Sequence, residues 1–274
     1  MEEKNILITG CSSGIGLCTA NTLKARGYRV IATARKEHDL QNLRALGMDA
    51  IRLELADSMS VKTAAQEALA HCEGKLYGLV NNAAYGMPGA VEDLSRKAIR
   101  EQFEVNLFGT MELTNLIIPA MRAAGGGRIV MISSILGLVS IKYQGAYNAS
   151  KHAMEGLTDT LRMELAGSGI EVSLVEPGPI RSRIRQNALE PFKNNVDVEK
   201  SVHKRRYEKM ERAIAEGKEA PFTGDPEDVV AKIIHALESP RPKIRYRVGI
   251  AAHLLAILNR LLPERAMNRI LSGR

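Results

Sequence analysis

A chain of 274 residues in which 45% of side chains are hydrophobic can bury a substantial core, and one α/β domain accommodates that length. Its three cysteines, Cys11, Cys18 and Cys72, form no Cys-x-x-Cys pair and have no histidine cluster beside them; this argues against a disulfide framework or a metal site and for a reducing, cytoplasmic compartment. The net charge of +7 sits in the last third, since residues 1–175 carry 18 basic and 18 acidic side chains and residues 176–274 carry 20 and 13, a pattern that reads first as a solvated basic face.

The N-terminus, Met1-Glu2-Glu3-Lys4-Asn5, lacks the basic start and long apolar run of a secretory leader. Seven short β-branched runs then predict strands at Asn5–Thr9, Arg29–Thr33, Ala50–Leu53, Tyr77–Val80, Arg128–Ile132, Glu171–Val175 and Lys243–Val248. Helical patterns lie between them, at Ile15–Arg26, Val61–His71, Ser95–Ala123 as one helix or two, and Tyr147–Ala166. Crossovers of that length suit parallel βαβ units. The expected fold is therefore a Rossmann-like, doubly wound, seven-stranded parallel sheet flanked by helices, with residues 1–274 forming one dinucleotide-binding catalytic domain.

Two segments interrupt the alternation. Residues 181–224 are polar and irregular, with scattered anchors Phe192, Tyr207, Met210 and Phe222, and precede a helix announced by Asp225 as N-cap and Pro226 at its first position. This reads as a helical substrate lid. Residues 250–274 read as one apolar and basic helical tail. Its longest apolar stretch, Ile250 to Leu258, contains His253 and falls far short of the roughly 20 residues a spanning helix needs. Burial of the tail against the sheet or a second subunit is the first expectation, and peripheral membrane contact the second.

Immediately after the first strand comes Thr9-Gly10-Cys11-Ser12-Ser13-Gly14-Ile15-Gly16, opening a helix. Glycines allow a tight turn and close backbone approach, and the free N–H groups and positive dipole end of the helix favour a pyrophosphate. Strand before and helix after turn a glycine cluster into a dinucleotide-site candidate. At the end of the second strand Ala34 stands where an acid would hold a ribose 2′-OH, followed by Arg35 and Lys36. An acid would repel a 2′-phosphate, whereas a guanidinium fork can chelate one, with Ser13 adding a hydroxyl; NADP(H) is favoured over NAD(H). The bland alternative is two solvated strand-end cations.

Tyr147 and Lys151 are one helical turn apart, which alone is a common coincidence. Their position after the fifth strand, whose carboxyl end delivers Ser133 and Ser134 to the crevice where open α/β sheets bind ligands, gives the spacing meaning. A phenol with pKa near 10 is a poor proton shuttle at neutral pH, but a cation about 4 Å away at an effective dielectric near 20 contributes about 4 kcal/mol, or about three pKa units at most.

Together these motifs resemble the short-chain dehydrogenase/reductase family, in the branch with NADP-dependent aldehyde reductases, retinol dehydrogenases and hydroxysteroid dehydrogenases. The resemblance rests on TGxxxGxG at Thr9 to Gly16, Asn81-Asn82-Ala83, Asn106, Ser134 thirteen residues before Tyr147, Tyr147-Asn-Ala-Ser-Lys151, and Pro177-Gly178-Pro179-Ile180. It implies catalytic roles for Asn106, Ser134, Tyr147 and Lys151, with Asn106 holding a water that links Lys151 to solvent. It also implies a cofactor held by Gly10, Ser12, Ser13, Gly14, Ile15, Gly16, Arg35, Lys36, Glu54, Leu55, Asn82, Ala83, Tyr147, Lys151, Pro177, Gly178, Ile180 and Ser182, and no metal. Three positions depart from the usual pattern: Ala84 for glycine, Glu54 for the aspartate that touches adenine, and Ser182 for threonine.

The expected pocket wall, Tyr85, Met87, Leu136, Leu138, Val139 and Tyr143, is apolar and without a charged anchor. The expected reaction is hydride transfer between NADP(H) and an apolar aldehyde, ketone or alcohol, with Tyr147 as general acid/base, in a homodimer or homotetramer that binds no nucleic acid. Rival readings are a catalytically idle NADP-binding sensor, which would not need Ser134, Tyr147 and Lys151, and a nucleic-acid or membrane-surface module, which would not need the glycine loop.

Overall fold

The computed structural model describes residues 4–272. Residues 1–3 of the expected leaderless start and residues 273–274 of the tail lie outside them. Seven strands form one parallel sheet: β1 (Asn5–Ile8), β2 (Arg29–Ala34), β3 (Asp49–Arg52), β4 (Leu76–Asn81), β5 (Gly127–Ile132), β6 (Ile170–Pro177) and β7 (Arg245–Val248). Their order is β3-β2-β1-β4-β5-β6-β7. All four residues of β1 are buried, as expected for a central strand covered on both faces.

Helices cover both faces. On one side α3 (Ser58–His71), α5 (Thr110–Ala123) and α6 (Gly145–Glu164) bury Val61, Ala64, Leu113, Ile117, Met154 and Leu161 against Leu7, Leu79 and Ile129. On the other, α1 (Gly14–Ala25), α2 (Glu37–Ala45) and α9 (Pro226–Glu238) bury Leu23, Leu40, Leu43, Val229 and Ile233 against Ile6, Ile8 and Val130. The order reverses between β1 and β4, so a crevice opens at their carboxyl ends.

Local chemistry explains where boundaries differ from expectation. Helix α2 has a weak apolar period, with only Leu40 and Leu43 on its buried side. The Ser95–Ala123 pattern contains α4 (Arg96–Phe103) and α5, joined end to end by a π-helical turn over Glu104–Gly109. Ser95 caps α4 by accepting from the Ala98 N–H at 3.1 Å. Asp225 precedes α9 as expected, yet its carboxylate makes no cap bond and pairs with Arg181.

The segment 181–224 is helical as expected, built from α7 (Ile184–Asn195) and α8 (Lys204–Ala215). Phe192 and Tyr207 anchor it, buried edge-to-face with ring centroids 5.1 Å apart, whereas Phe222 is 68% exposed and anchors nothing. The tail is two helices, α10 (Ile250–Leu261) and α11 (Glu264–Ser272). Pro263 lacks an N–H and pushes the preceding Leu262 into extended backbone (ψ 143°), which breaks the single helix expected there. No helix among the described residues is long and apolar enough to cross a membrane.

Candidate active site

The glycine loop is locked by its neighbours before any ligand is considered. Asn82 Nδ2 donates to the carbonyls of Thr9 (2.9 Å) and Gly10 (3.1 Å), and the Asn82 and Ala83 amides both donate to Thr9 Oγ1 at 2.9 Å. Ser13 leads into α1 without a side-chain cap, so the first-turn N–H groups stay available to an anion. A Cβ on Gly16 would lie 2.1 Å from Gly10 O and 2.6 Å from Asn82 Nδ2, so only glycine lets α1 pack this closely on the loop. Gly16→Ala should cost about 1–3 kcal/mol of stability through forced backbone shift, read as a lowered urea midpoint; an unchanged midpoint would show that the loop can yield.

The crevice is a cleft of about 1720 Å³. It is lined by Gly10, Ser12, Ser13, Gly14, Ile15, Arg35, Lys36, Glu54 and Leu55 on one side of the reversal, and by Asn82, Ala83, Ser134, Tyr147, Lys151, Pro177, Gly178, Ile180 and Ser182 on the other. Every expected cofactor residue except Gly16 therefore faces one space. Arg35 is exposed at the end of β2, and its guanidinium lies 3.7 Å from Glu54 Oε2. That pair leaves most of the fork free in solvent. Among the described residues no group of three His, Cys, Asp or Glu side chains could hold a metal ion.

Tyr147 enters from the first turn of α6, which begins at Gly145. Gly86 lies against its ring, where a Cβ would come 3.1 Å from Cδ2. Ser134, at the end of β5, accepts from the Leu136 N–H at 3.1 Å through Oγ and so has a fixed orientation. Burial pushes the Tyr147 phenol up to about 12, while hydrogen bonding with Ser134 pulls it down. Lys151 is almost wholly buried; burial pushes its ammonium down to about 8, against the opposing charge of Glu155. Its Nζ donates to Ile132 O at 2.8 Å and lies 5.8 Å from the Tyr147 ring centroid.

This geometry corrects the expected electrostatics. The cation was expected about 4 Å from the phenol oxygen, lowering its pKa toward neutrality; here it is held by a strand-end carbonyl and the phenol rises. Burial is the larger cause at each group, ahead of the Ser134 hydrogen bond at Tyr147 and the Glu155 charge at Lys151.

Asn106 does not reach the cleft. It sits fully buried in the π-helical turn, where its Nδ2 donates to Tyr85 O (2.9 Å) and Ser150 Oγ (3.1 Å) and its Oδ1 accepts from Tyr85 N (3.1 Å). Both amide protons are engaged by protein groups, so the side chain clamps the β4 exit loop to α6 and does not hold the expected water through its N–H groups.

Of the expected pocket wall, Tyr85, Leu136 and Tyr143 line the cleft. Met87 is buried in the lid core, while Val139, buried, and Leu138, partly buried, pack with the tail. Their places are taken by Ile141 and by Met210, Ile214 and Leu255 from lid and tail. The absence of a charged anchor is also corrected, since the lid segment brings Arg183, Arg185, Arg206 and Lys209 to the rim. Tyr143 precedes α6 and is not on its helical face. It is held at φ 63°, with its carbonyl accepting from Gly89 N at 3.0 Å, its ring 5.4 Å from that of His203 and the Arg206 guanidinium 5.4 Å above it. A non-glycine residue at positive φ stores strain, here where the catalytic segment meets the lid.

Sequence reading missed the charged cluster beneath Lys151. Arg245, the first residue of β7, bonds to Glu155 and Asp159 of α6 and lies 3.0 Å from Glu176 of β6. The Glu176 side chain is fully buried and that of Glu155 is 7% exposed. Burial pushes the Glu155 carboxyl up to about 7. The one signal in the sequence was Glu155 four residues after Lys151, on the same helical face.

A family profile described as short chain dehydrogenase matches residues 4–192. The chain is 44% identical over 271 residues to the oxidoreductase YbbO of Escherichia coli (strain K12), covering 99% of this chain and 95% of that protein. It is 32% identical over 282 residues to human retinol dehydrogenase 16, covering 99% and 88%. Two solved structures, each with a TM-score of 0.77, are similar across 98% of this chain. One is a short chain dehydrogenase of Burkholderia cenocepacia J2315 in complex with NADP, at 25% identity and covering 98% of that chain. The other is a short chain dehydrogenase/reductase of Burkholderia phymatum in complex with NAD, at 26% identity and covering 95%.

Proposed function

Because the chain belongs to the short-chain dehydrogenase/reductase family of oxidoreductases, we propose that it interconverts an apolar aldehyde or ketone and its alcohol with NADP(H), using Tyr147 as general acid/base. The observation that carries this is the convergence of Ser134, Tyr147 and Lys151 with the glycine loop and Arg35 on one cleft. An idle sensor would need only the second half of that set. Residues 1–274 act as one catalytic domain, with α7 and α8 as its lid.

The site fits a dinucleotide: uncapped N–H groups open α1, Gly16 gives close packing, and Arg35 with Lys36 offers cations where a 2′-phosphate would lie. When bound, the nicotinamide supplies or accepts the hydride. In the reductive direction Ser134 Oγ hydrogen-bonds the carbonyl oxygen and the protonated Tyr147 phenol donates its proton there, consistent with a phenol pKa well above neutrality. Lys151 stabilises the phenolate that this leaves and holds ribose hydroxyls. Asn106 positions these groups through Ser150 and Tyr85. Ile141, Tyr143, Met210, Ile214 and Leu255 favour an apolar substrate body.

Self-association is expected through the exposed apolar residues Leu116 on α5, Leu157 and Met163 on α6, and Phe108 in the π-helical turn.

A panel of aldehydes and ketones assayed with NADPH and with NADH, followed by nicotinamide absorbance, tests the reading. NADPH should be preferred, and Arg35→Ala should reduce that preference about 10- to 100-fold, the worth of one charge-assisted bidentate contact. Equal use of NADH by the unmodified enzyme would overturn the assignment of Arg35, and no turnover on any carbonyl would overturn the reaction class.

A further inference from the structure

Helix α10 is packed on only part of its circumference. Ala252 and Ala256 are buried with Ile135 and Val139, and Ala251 and Leu255 line the cleft. Ile250, Leu254, Ile257 and Leu261 are left 68%, 52%, 52% and 74% exposed. At about 100° per residue these four fall within a stripe about 60° wide. A continuous row of large aliphatic side chains held in water marks a docking surface, unlike scattered exposed residues.

The two tail helices that carry the stripe are also basic. Arg260 on α10 and Arg265 and Arg269 on α11 are exposed, Glu264 is the only acid from Ile250 to Ser272, and among the described residues none of the three arginines forms an ion pair. Arg265 and Arg269 join Lys142, Asn268 and Ser272 around a surface hollow of about 480 Å³ that is lined by no acidic side chain among the described residues. Lys142 is fixed there by donating to Ser272 O at 2.9 Å.

We propose that α10 and α11 dock this protein on an anionic lipid surface, the aliphatic stripe entering the interface while Arg260, Arg265, Arg269 and Lys142 meet lipid phosphates. A second copy is a poorer occupant: pairing through this stripe would gather two sets of these arginines into one interface with Glu264 the only acid on either tail segment from Ile250 to Ser272, and α5 and α6 offer another apolar face. Because Ala251 and Leu255 adjoin the stripe and line the cleft, docking sets the cleft beside the bilayer, where apolar compounds partition. That last consequence rests on the apolar substrate proposed above, whereas the docking itself does not.

Co-sedimentation of the full chain with phosphatidylglycerol/phosphatidylcholine vesicles and with pure phosphatidylcholine vesicles tests the docking independently of turnover. Binding should be at least about tenfold tighter to the anionic vesicles and should weaken in high salt. The Leu254→Glu/Ile257→Glu and Arg265→Glu/Arg269→Glu double variants should each lose about tenfold or more while keeping the thermal midpoint and NADPH oxidation with a short soluble aldehyde. No binding by the unmodified chain would overturn the proposal. So would loss in the arginine variant alone, which would mean simple anion binding, or a dimer that sedimentation shows to dissociate in the Leu254→Glu/Ile257→Glu variant.

Discussion

Tyr147→Phe should lower turnover with NADPH by about 10³-fold or more on every active carbonyl while leaving dinucleotide binding and the urea midpoint near those of the unmodified enzyme. The size follows from removing the phenol that hydrogen-bonds with Ser134 one helical turn from Lys151, since a positioned proton donor contributes about 10²–10⁴. The ring remains packed against Gly86, so the loss should fall on kcat rather than on folding. Binding is checked by quenching of NADPH fluorescence and turnover by absorbance. Full turnover in the variant would assign the proton to another group. Ser134→Ala should retain more activity than Tyr147→Phe, because it removes one stabilising hydrogen bond and leaves the proton source in place.

Arg245→Met should destabilise the fold by about 3–5 kcal/mol at pH 8, a large share of the roughly 5–15 kcal/mol that holds a domain together. The guanidinium is in contact with both Glu155 and Glu176, whose side chains are 7% and 0% exposed; its removal strands the Glu155 carboxylate, while Glu176 keeps Arg247 at 3.3 Å. The dependence on pH has a definite sign. Glu155 ordinarily titrates near 4.5 and is raised to about 7 in the fold, so over that range the native state holds more protons than the unfolded chain. Stability from this group is present below about 4.5 and is lost as pH rises through about 7, an effect on the order of 3 kcal/mol. Without Arg245 the carboxyl should bind its proton more tightly still, so the deficit of the variant should shrink at pH 5.5. Urea denaturation at the two pH values measures both effects. An equal deficit at pH 5.5 and pH 8 would mean that the damage comes from lost packing rather than from stranded charge. Because Glu155 also acts on Lys151, the cluster couples the stability of β7 to the charge at the active site.

The sequence by itself determined the alternating parallel sheet, the glycine loop opening α1, and the pairing of Tyr147 with Lys151 one turn apart. Each is a local property: side-chain period and turn chemistry act over a few to about fifteen residues, and order along the chain then restricts the topology. The same locality explains what the sequence did not reveal. Met87 and Val139 have the apolar character of a pocket wall, but whether an apolar residue faces a cleft or a core depends on lid and tail segments that arrive from more than a hundred residues away. Asn106 carries the polar group expected of a site residue, and only the approach of Tyr85 and Ser150 decides that its amide is consumed in clamping them. Arg245 meets Glu155 and Glu176 because β6 and β7 pair in one register, Leu174 beside Arg245 and Glu176 beside Arg247, and no short-range pattern encodes that meeting. Tertiary structure likewise decided the sign of the shift at Tyr147. The sequence placed a cation near the phenol, but how far burial raises one group and turns the other toward Ile132 is set by the packed interior around them. The stripe on α10 follows the same rule: its period was legible as a helix, and only the packed fold showed which side was left facing solvent.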